Sequence, residues 1–227
     1  MHKIKNYFKQ NYFEKTAWNN NKYVCGIDEV GRGCLAGPIV TCACILPKNL
    51  NFAQIKDSKV LTKEQREKAF FWIKKNCFFS ISIYDHKKID KINIYQATKV
   101  SMQKSLLQLL NIIPFDKNKI EFVLTDAMPI KLPKNFNSNF FYFTKGEKYS
   151  QSIAAASIAA KVFRDNLLSN LEKIFPKFKF SENKGYGTNK HIKIINQIDT
   201  SIIHRKTFCK NILTPQNIIK TKQTSLF

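Results

Sequence analysis

Apolar positions along the chain alternate between two spacings, and each change of spacing marks a new element. Tyr23-Val24-Cys25-Gly26-Ile27 is a short apolar run that ends in Asp28, and a glycine-bearing turn leads to a second run from Ile39 to Leu46. Both have the length of buried strands. Phe78 to Tyr84 alternates as a half-buried strand does, and residues 121–125 and 140–144 read as two more. Helical spacing fills the gaps. Residues 1–22 carry a weak helical period through Tyr7, Phe8, Tyr12 and Phe13, which predicts a leading helix. Thr62-Lys63-Glu64-Gln65 has the form of a capping box, opening a helix whose inner face includes Ala69, Phe70 and Ile73. A further helix is predicted over 93–110 through Ala97, Val100, Met102, Leu106 and Leu110, stopped before Pro114. The longest helical segment, 150–175, opens with a face of small residues (Ser152, Ala155, Ala156, Ala159) suited to close packing on a sheet, and Pro176 ends it. Strands in succession followed by α, β and α elements predict an α/β fold, a mixed sheet with helices on its faces.

Length and composition narrow this to one domain over 1–210 with a polar, lysine-bearing tail over 211–227; no internal repeat is visible. The balance of 44% hydrophobic and 24% charged residues is that of a globular chain. No apolar run approaches the roughly 18–20 residues of a membrane span, and the first residues have no signal-peptide pattern, so a soluble, cytoplasmic protein is expected; nothing in the sequence suggests more than a monomer. Cys25, Cys34, Cys42, Cys44, Cys77 and Cys209 form no CxxC pair and read as reduced structural thiols, which argues against zinc. The net charge of +22 has two readings. It suits a polyanionic partner such as nucleic acid, and it equally reflects the abundance of lysine expected of an AT-rich genome. Arginine is more telling, because only Arg32, Arg66, Arg164 and Arg205 occur. An always-charged planar fork is hard to replace by lysine.

The candidate chemistry is acidic. Asp28 and Glu29 end one strand, Asp126 ends another, and Asp165 lies inside the longest helix. In an open α/β sheet, strand ends are where sites assemble. Carboxylates brought together repel and raise one another's pKa unless a cation intervenes, so their convergence implies a metal. Oxygen ligands without histidine or cysteine suit Mg²⁺ or Mn²⁺. Taken singly, each acid reads as well as a turn or capping residue. Asp28 differs through its context: Asp28-Glu29-Val30-Gly31-Arg32-Gly33 follows an apolar strand directly, and Leu35-Ala36-Gly37-Pro38 leads into the next.

At these residues the chain resembles the ribonuclease HII family, whose hallmark is an acidic pair followed by Gly-Arg-Gly. The resemblance continues through Asp57-Ser58-Lys59, the segment Ile92 to Thr98, Asp126, Ser152 to Ser157, Ala160 to Asp165, Lys184-Gly185-Tyr186-Gly187-Thr188 and His204-Arg205, in family order over 23 to about 208. It implies a ribonuclease H-like mixed five-stranded sheet flanked by helices, with Asp28, Glu29, Asp126 and Asp165 as ligands of two Mg²⁺ or Mn²⁺ ions. It implies an endoribonuclease acting on RNA/DNA hybrids and on duplex DNA containing ribonucleotides, cutting 5′ of the ribonucleotide to leave a 3′-hydroxyl and a 5′-phosphate. Gly31, Arg32 and Gly33 correspond to the loop that contacts ribose 2′-hydroxyls, the group that separates RNA from DNA. Tyr186 corresponds to a tyrosine that stacks on the deoxyribose at an RNA–DNA junction, with an ordinary core aromatic as the alternative. Ser58, Lys59, Lys184 and Thr188 correspond to residues along the nucleic-acid backbone, or belong to a solvated polar face. His191 and His204 receive no role. Two departures stand out: Cys34 occupies a position where the family usually has proline, and Ala127 follows Asp126 where glycine is commoner.

The tail ends Gln223-Thr224-Ser225-Leu226-Phe227, which resembles peptides that grip the bacterial DNA sliding clamp, with Gln223, Leu226 and Phe227 as the contacting residues. A frayed terminus is the plain alternative. Two rival functions fit the sequence less well. A type 3 ribonuclease H needs an extra N-terminal domain, for which the start of the first catalytic strand near Tyr23 leaves no room. A catalytically inert hybrid-binding module would not need all four acids.

Overall fold

The computed structural model describes residues 2–3, 9–49, 55, 60–210 and 212–213. The chain forms two compact units, one from the described parts of Met1–Val30, Val40–Ile83 and Thr98–Val162, the other from Gly31–Ile39, Tyr84–Ala97 and the described part of Phe163–Phe227.

The first unit holds the sheet. Its strands are β1 (His2–Lys3), β2 (Tyr23–Val30), β3 (Ile39–Ile45), β4 (Phe78–Tyr84), β5 (Ile120–Asp126) and β6 (Asn139–Phe143), ordered β1-β6-β5-β2-β3-β4. The five expected strands are all present, and two residues at the N-terminal end add a short parallel edge beside β6. The sheet is mixed: β2 runs antiparallel to β3 and parallel to β5, and β5 runs parallel to β6. Central strands covered on both faces read as continuous apolar runs, and β3 is accordingly buried at every position.

Side chains alternate across β2. Cys25 and Ile27 point to one face and pack with Met102, Leu106 and Leu109 of helix α3 (His86–Ile112). Val24 points to the other, with Phe13 and Ala17 of helix α1 (Tyr12–Asn19) and Ile153 of helix α4 (Gln151–Leu171). Among the described residues the leading helix is thus eight residues long, because Asn11 turns into the left-handed region ahead of it and Lys22 bonds back to Ala17 after it; Tyr7 and Phe8, which the expected period included, lie outside the described residues. Helix α2 (Lys63–Asn76) opens with the expected box: Gln65 N donates to Thr62 Oγ1, and Thr62 N donates to Gln65 Oε1. Helix α3 starts earlier than its apolar period suggests. Asn93, at φ 65°, interrupts it, and its Oδ1 caps the longer second part by accepting from Gln96 N at 3.0 Å.

The second unit is built on short helices, α5 (Phe180–Asn183), α6 (Asn189–Ile198) and α7 (Lys206–Cys209), around Leu35, Leu168, Phe178, Phe180 and Ile195. Among the described residues no helix is long and apolar enough to cross a membrane, and all six cysteines are free thiols.

Candidate active site

Two of the acids meet because of strand register. Ile27 pairs with Thr125, so the next residues, Asp28 and Asp126, sit side by side at the C-terminal ends of two parallel strands. Gly26 lets the backbone of α4 come down on to β2, since a Cβ there would fall far inside contact distance of Ser152 C and Ile153 N. Two residues on, a distance of about 7 Å along a strand, Asp28 accepts a hydrogen bond from Ser157, four or five residues further along α4. The helix therefore follows β2 in the same direction.

Asp28 is only 7% exposed. Burial drives its pKa well above the usual carboxylate range, and the charges of Glu29 and then Asp126 push it further the same way, against hydrogen bonds from Ser157 and the Glu29 N–H. The Glu29 N–H donates to Asp28 Oδ1 at 2.7 Å, and Gly146 N donates to Asp126 Oδ1 at 2.8 Å. This is a group of carboxylates under mutual repulsion, the electrostatic condition that a divalent cation relieves. Among the described residues no three acidic, imidazole or thiol groups form a metal cage by themselves. Mg²⁺ and Mn²⁺ commonly take one or two carboxylates and complete their shells with water and phosphate oxygens. Asp165 belongs to the second unit, half-buried on α4, where its backbone carbonyl accepts from Ser169 Oγ at 2.9 Å. Ser157, in a stretch that carried the family resemblance, had no role from sequence; its contact with Asp28 supplies one.

Ala127 explains its own oddity. It sits at φ 53°, in the left-handed region, donating its N–H to Phe143 O at 2.6 Å, while Thr125 Oγ1 closes the turn on Met128 O at 2.5 Å. A glycine there avoids roughly 1–2 kcal/mol of steric cost and gives back about 0.4–1 kcal/mol through the freer unfolded chain. Ala127→Gly is therefore expected to raise the melting temperature by about 1–4 °C. Thermal unfolding measures this, and an unchanged or lower midpoint would contradict the strain.

In the second unit the Gly-Arg-Gly turn is held from within. Gly31, at φ +95°, has no room for a Cβ because the Arg164 side chain fills the space. Around Gly33 nothing lies within 4 Å of the position a Cβ would take, and the residue is exposed. The free protein thus requires glycine at Gly31 but shows no packing need for it at Gly33. Tyr186, 36% exposed, forms an antiparallel bridge with Cys34, and the Arg164 guanidinium lies 5.8 Å from its ring centre. Burial raises its hydroxyl pKa to about 12, with the charge of Asp165 among the smaller contributions. Cys34, standing in for the usual proline, donates its thiol to Lys184 O at 3.7 Å.

Two of the expected phosphate contacts already have intramolecular partners. Lys184 Nζ donates to Ser169 Oγ at 2.7 Å, and Thr188 Oγ1 caps α6 by accepting from His191 N at 3.3 Å. Arg32 is half-buried, and its carbonyl accepts from Arg205. Ser58, Lys59, Gln223, Leu226 and Phe227 lie outside the described residues.

Sequence reasoning missed a pair of histidines. The Tyr186 carbonyl can only accept, so His191 Nδ1, 2.8 Å away, carries the proton. His191 Nε2 is then bare and accepts from His204 Nε2 at 3.1 Å, while His204 Nδ1 accepts from Ser201 N at 2.9 Å. Both rings are neutral. Burial lowers the pKa of each, that of His204 to about 4 with help from His191. A histidine unfolds to a pKa near 6.5, so between that value and about 4 the unfolded chain binds more protons. Stability from His204 is complete above pH 6.5 and is lost as pH falls towards 4, by on the order of 3 kcal/mol. Urea midpoints at pH 7 and 4.5 test this: His204→Gln should lose less stability across the window than the wild type, and equal losses would count against it. The pair left no sequence signal, since its members are thirteen positions apart on separate elements.

A mixed sheet carrying neighbouring acids at the ends of parallel strands, with a Gly-Arg-Gly turn next in sequence, defines the ribonuclease H-like class. The family model of ribonuclease HII matches residues 25–211. The ribonuclease HII of Caldanaerobacter subterraneus is 40% identical over 218 residues, covering 92% of this chain and 84% of that one, and that of Acholeplasma laidlawii is 41% identical over 199 residues, covering 86% and 92%. This chain belongs to the ribonuclease HII family. Among solved structures, the PCNA:RNase HII complex of Archaeoglobus fulgidus contains a similar chain with a TM-score of 0.66 at 23% identity, covering 84% of this chain and 97% of that one. Bst-RNase HIII in complex with Mn²⁺ is similar in fold with a TM-score of 0.67 at 18% identity, covering 90% and 70%.

Proposed function

We propose that the chain is a divalent-metal-dependent endoribonuclease that cleaves the RNA strand of RNA/DNA hybrids and cuts duplex DNA 5′ of an embedded ribonucleotide, leaving a 3′-hydroxyl and a 5′-phosphate. The observation that carries this reading is Asp28: a carboxylate buried under the charges of Glu29 and Asp126 is a poor stabilising element and a good seat for a cation. Asp28, Glu29, Asp126 and Asp165 would hold two Mg²⁺ or Mn²⁺ ions, and the Mn²⁺ of the ribonuclease HIII structure supports a divalent metal. Bound there, the ions supply charge neutralisation at the scissile phosphate and a lowered pKa for the attacking water. Gly31, Arg32 and Gly33 read the ribose 2′-hydroxyl, and the open space at Gly33 supports close approach of a sugar to the backbone. Tyr186 stacks on the deoxyribose at the junction. Ser58, Lys59, Lys184 and Thr188 track the backbone; for Lys184 this requires release of Ser169 Oγ. The C-terminal Gln223, Leu226 and Phe227 engage a DNA sliding clamp, a partner type consistent with the PCNA complex of the Archaeoglobus protein.

The test is an end-labelled duplex with one ribonucleotide, an RNA/DNA hybrid and an all-DNA duplex, each with Mg²⁺, Mn²⁺ or EDTA. Cleavage 5′ of the ribonucleotide and within the hybrid RNA is expected with either metal, with none in EDTA and none of the all-DNA duplex. Inert protein in both metals would refute the reading. In the same assay, deletion of 223–227 should leave cleavage unchanged while abolishing retention by the organism's own clamp; undiminished retention would remove the tail from that role.

A further inference from the structure

Two of the four arginines are completely buried, and neither is ion-paired among the described residues. Arg205 donates to Gly31 O at 2.7 Å, Arg32 O at 2.9 Å and Gly37 O at 3.0 Å. Arg164 donates to Pro38 O at 2.9 Å, Ala36 O at 3.1 Å and Lys184 O at 2.8 Å. Six carbonyls, five of them from the single loop 31–38, thus rest on two guanidiniums. Burying a cation costs several kcal/mol, so a well-packed apolar side chain would stabilise this interior better. What an apolar side chain cannot do is hold carbonyls in a fixed plane, which the rigid fork of arginine does.

The consequence follows from peptide geometry. In a planar trans peptide the C=O of one residue and the N–H of the next point in opposite directions. With the carbonyls of Gly31 and Arg32 drawn on to Arg205, the N–H groups of Arg32 and Gly33 are turned away from it, and nothing lies within 4 Å of the position a Cβ on Gly33 would take. We infer that Arg205, seconded by Arg164, is a positioning residue: it presents two neighbouring peptide N–H donors, above a buried positive charge, to an acceptor oxygen of the ribose, so that the 2′-hydroxyl is read as an acceptor. Burial lowers the Arg205 pKa to about 10, which leaves it cationic at neutral pH. This inference rests on the activity proposed above.

The test measures equilibrium binding, with Ca²⁺ in place of Mg²⁺, to a duplex containing one ribonucleotide and to its all-DNA counterpart. Arg205→Lys keeps the charge and loses the fork. It is expected to reduce the preference for the ribonucleotide by about tenfold while leaving affinity for all-DNA unchanged, and Arg164→Lys to do the same to a smaller extent. A purely structural role would lower both affinities together, and an unchanged preference overturns the inference. Should the variants not fold, backbone ¹⁵N order parameters of the wild type decide. Values at Arg32 and Gly33 near the rigid level of about 0.85 support a preset loop, and values below about 0.6 overturn it. A wild type indifferent to the ribonucleotide would overturn the proposed activity, and this inference with it.

Discussion

Asp28→Asn is expected to reduce cleavage in Mg²⁺ by about a thousandfold or more, equivalent to roughly 4 kcal/mol of lost transition-state stabilisation, while the protein stays folded. The amide has the shape of the carboxyl and retains an oxygen to accept from the Glu29 N–H, and the Ser157 hydroxyl can donate to the amide oxygen or accept from the amide nitrogen. It removes the charge on which the proposed metal seat depends. The same change deletes a carboxylate that burial, Glu29 and Asp126 all oppose, so the melting temperature should hold or rise. Opposite effects on activity and stability distinguish a functional acid from a structural one. Single-turnover cleavage and a thermal melt on the same preparation measure both, and activity within tenfold of the wild type would strike Asp28 from the ligand set.

Gly26→Ala is expected to cost about 3 kcal/mol or more, at the upper end of overpacking effects and a large share of the stability of an ordinary domain. Most overpacked sites relieve strain by a change of rotamer. Here the obstructing atoms are the backbone of Ser152 and Ile153, and relief requires α4 to move off β2. That movement would carry Ser157 away from Asp28, so the methyl should impair cleavage as well as stability. A drop in melting temperature of about 6–12 °C, or loss of soluble protein, is the anticipated result. A midpoint within about 2 °C of the wild type would show that the close approach of helix and strand is not required.

Much of the fold was legible because its signals are local. Strand β4 coincides with the alternating run it was read from, and the Thr62 box opens α2 as its four residues indicate. Where the reading strayed, a single backbone turn was responsible: Asn11 shortens the leading helix, and Asn93 joins a helical segment to the front of α3 that its apolar spacing did not reveal. Helix α6 went unread although His191 and Ile195 share its buried face, because ten residues give a short period. The candidate acids stood out too, since an acid at the end of an apolar strand before Gly-Arg-Gly is a compact local pattern.

Partnership was not legible. Glu14 looks like an ordinary surface residue of α1, yet it is fully buried and accepts from Ser150 Oγ at 2.5 Å and Ser152 N at 3.0 Å, so that it helps to secure the start of α4. The scarcity of arginine marked Arg164 and Arg205 as unusual without saying that both turn inward on to carbonyls, and the two histidines gave no hint of each other.

The amino-acid order by itself determined most of the elements and the family, and it singled out the candidate acids, because periodicity, capping and motif spacing depend on residues a few positions apart. Only the tertiary structure decided that Asp28 lies beside Asp126 against Ser157, that Gly31 makes room for Arg164 while Gly33 stays open, and that two buried forks aim the loop. These depend on strand register and on hydrogen bonds between residues as many as 174 positions apart, and such contacts exist only once the chain has closed on itself.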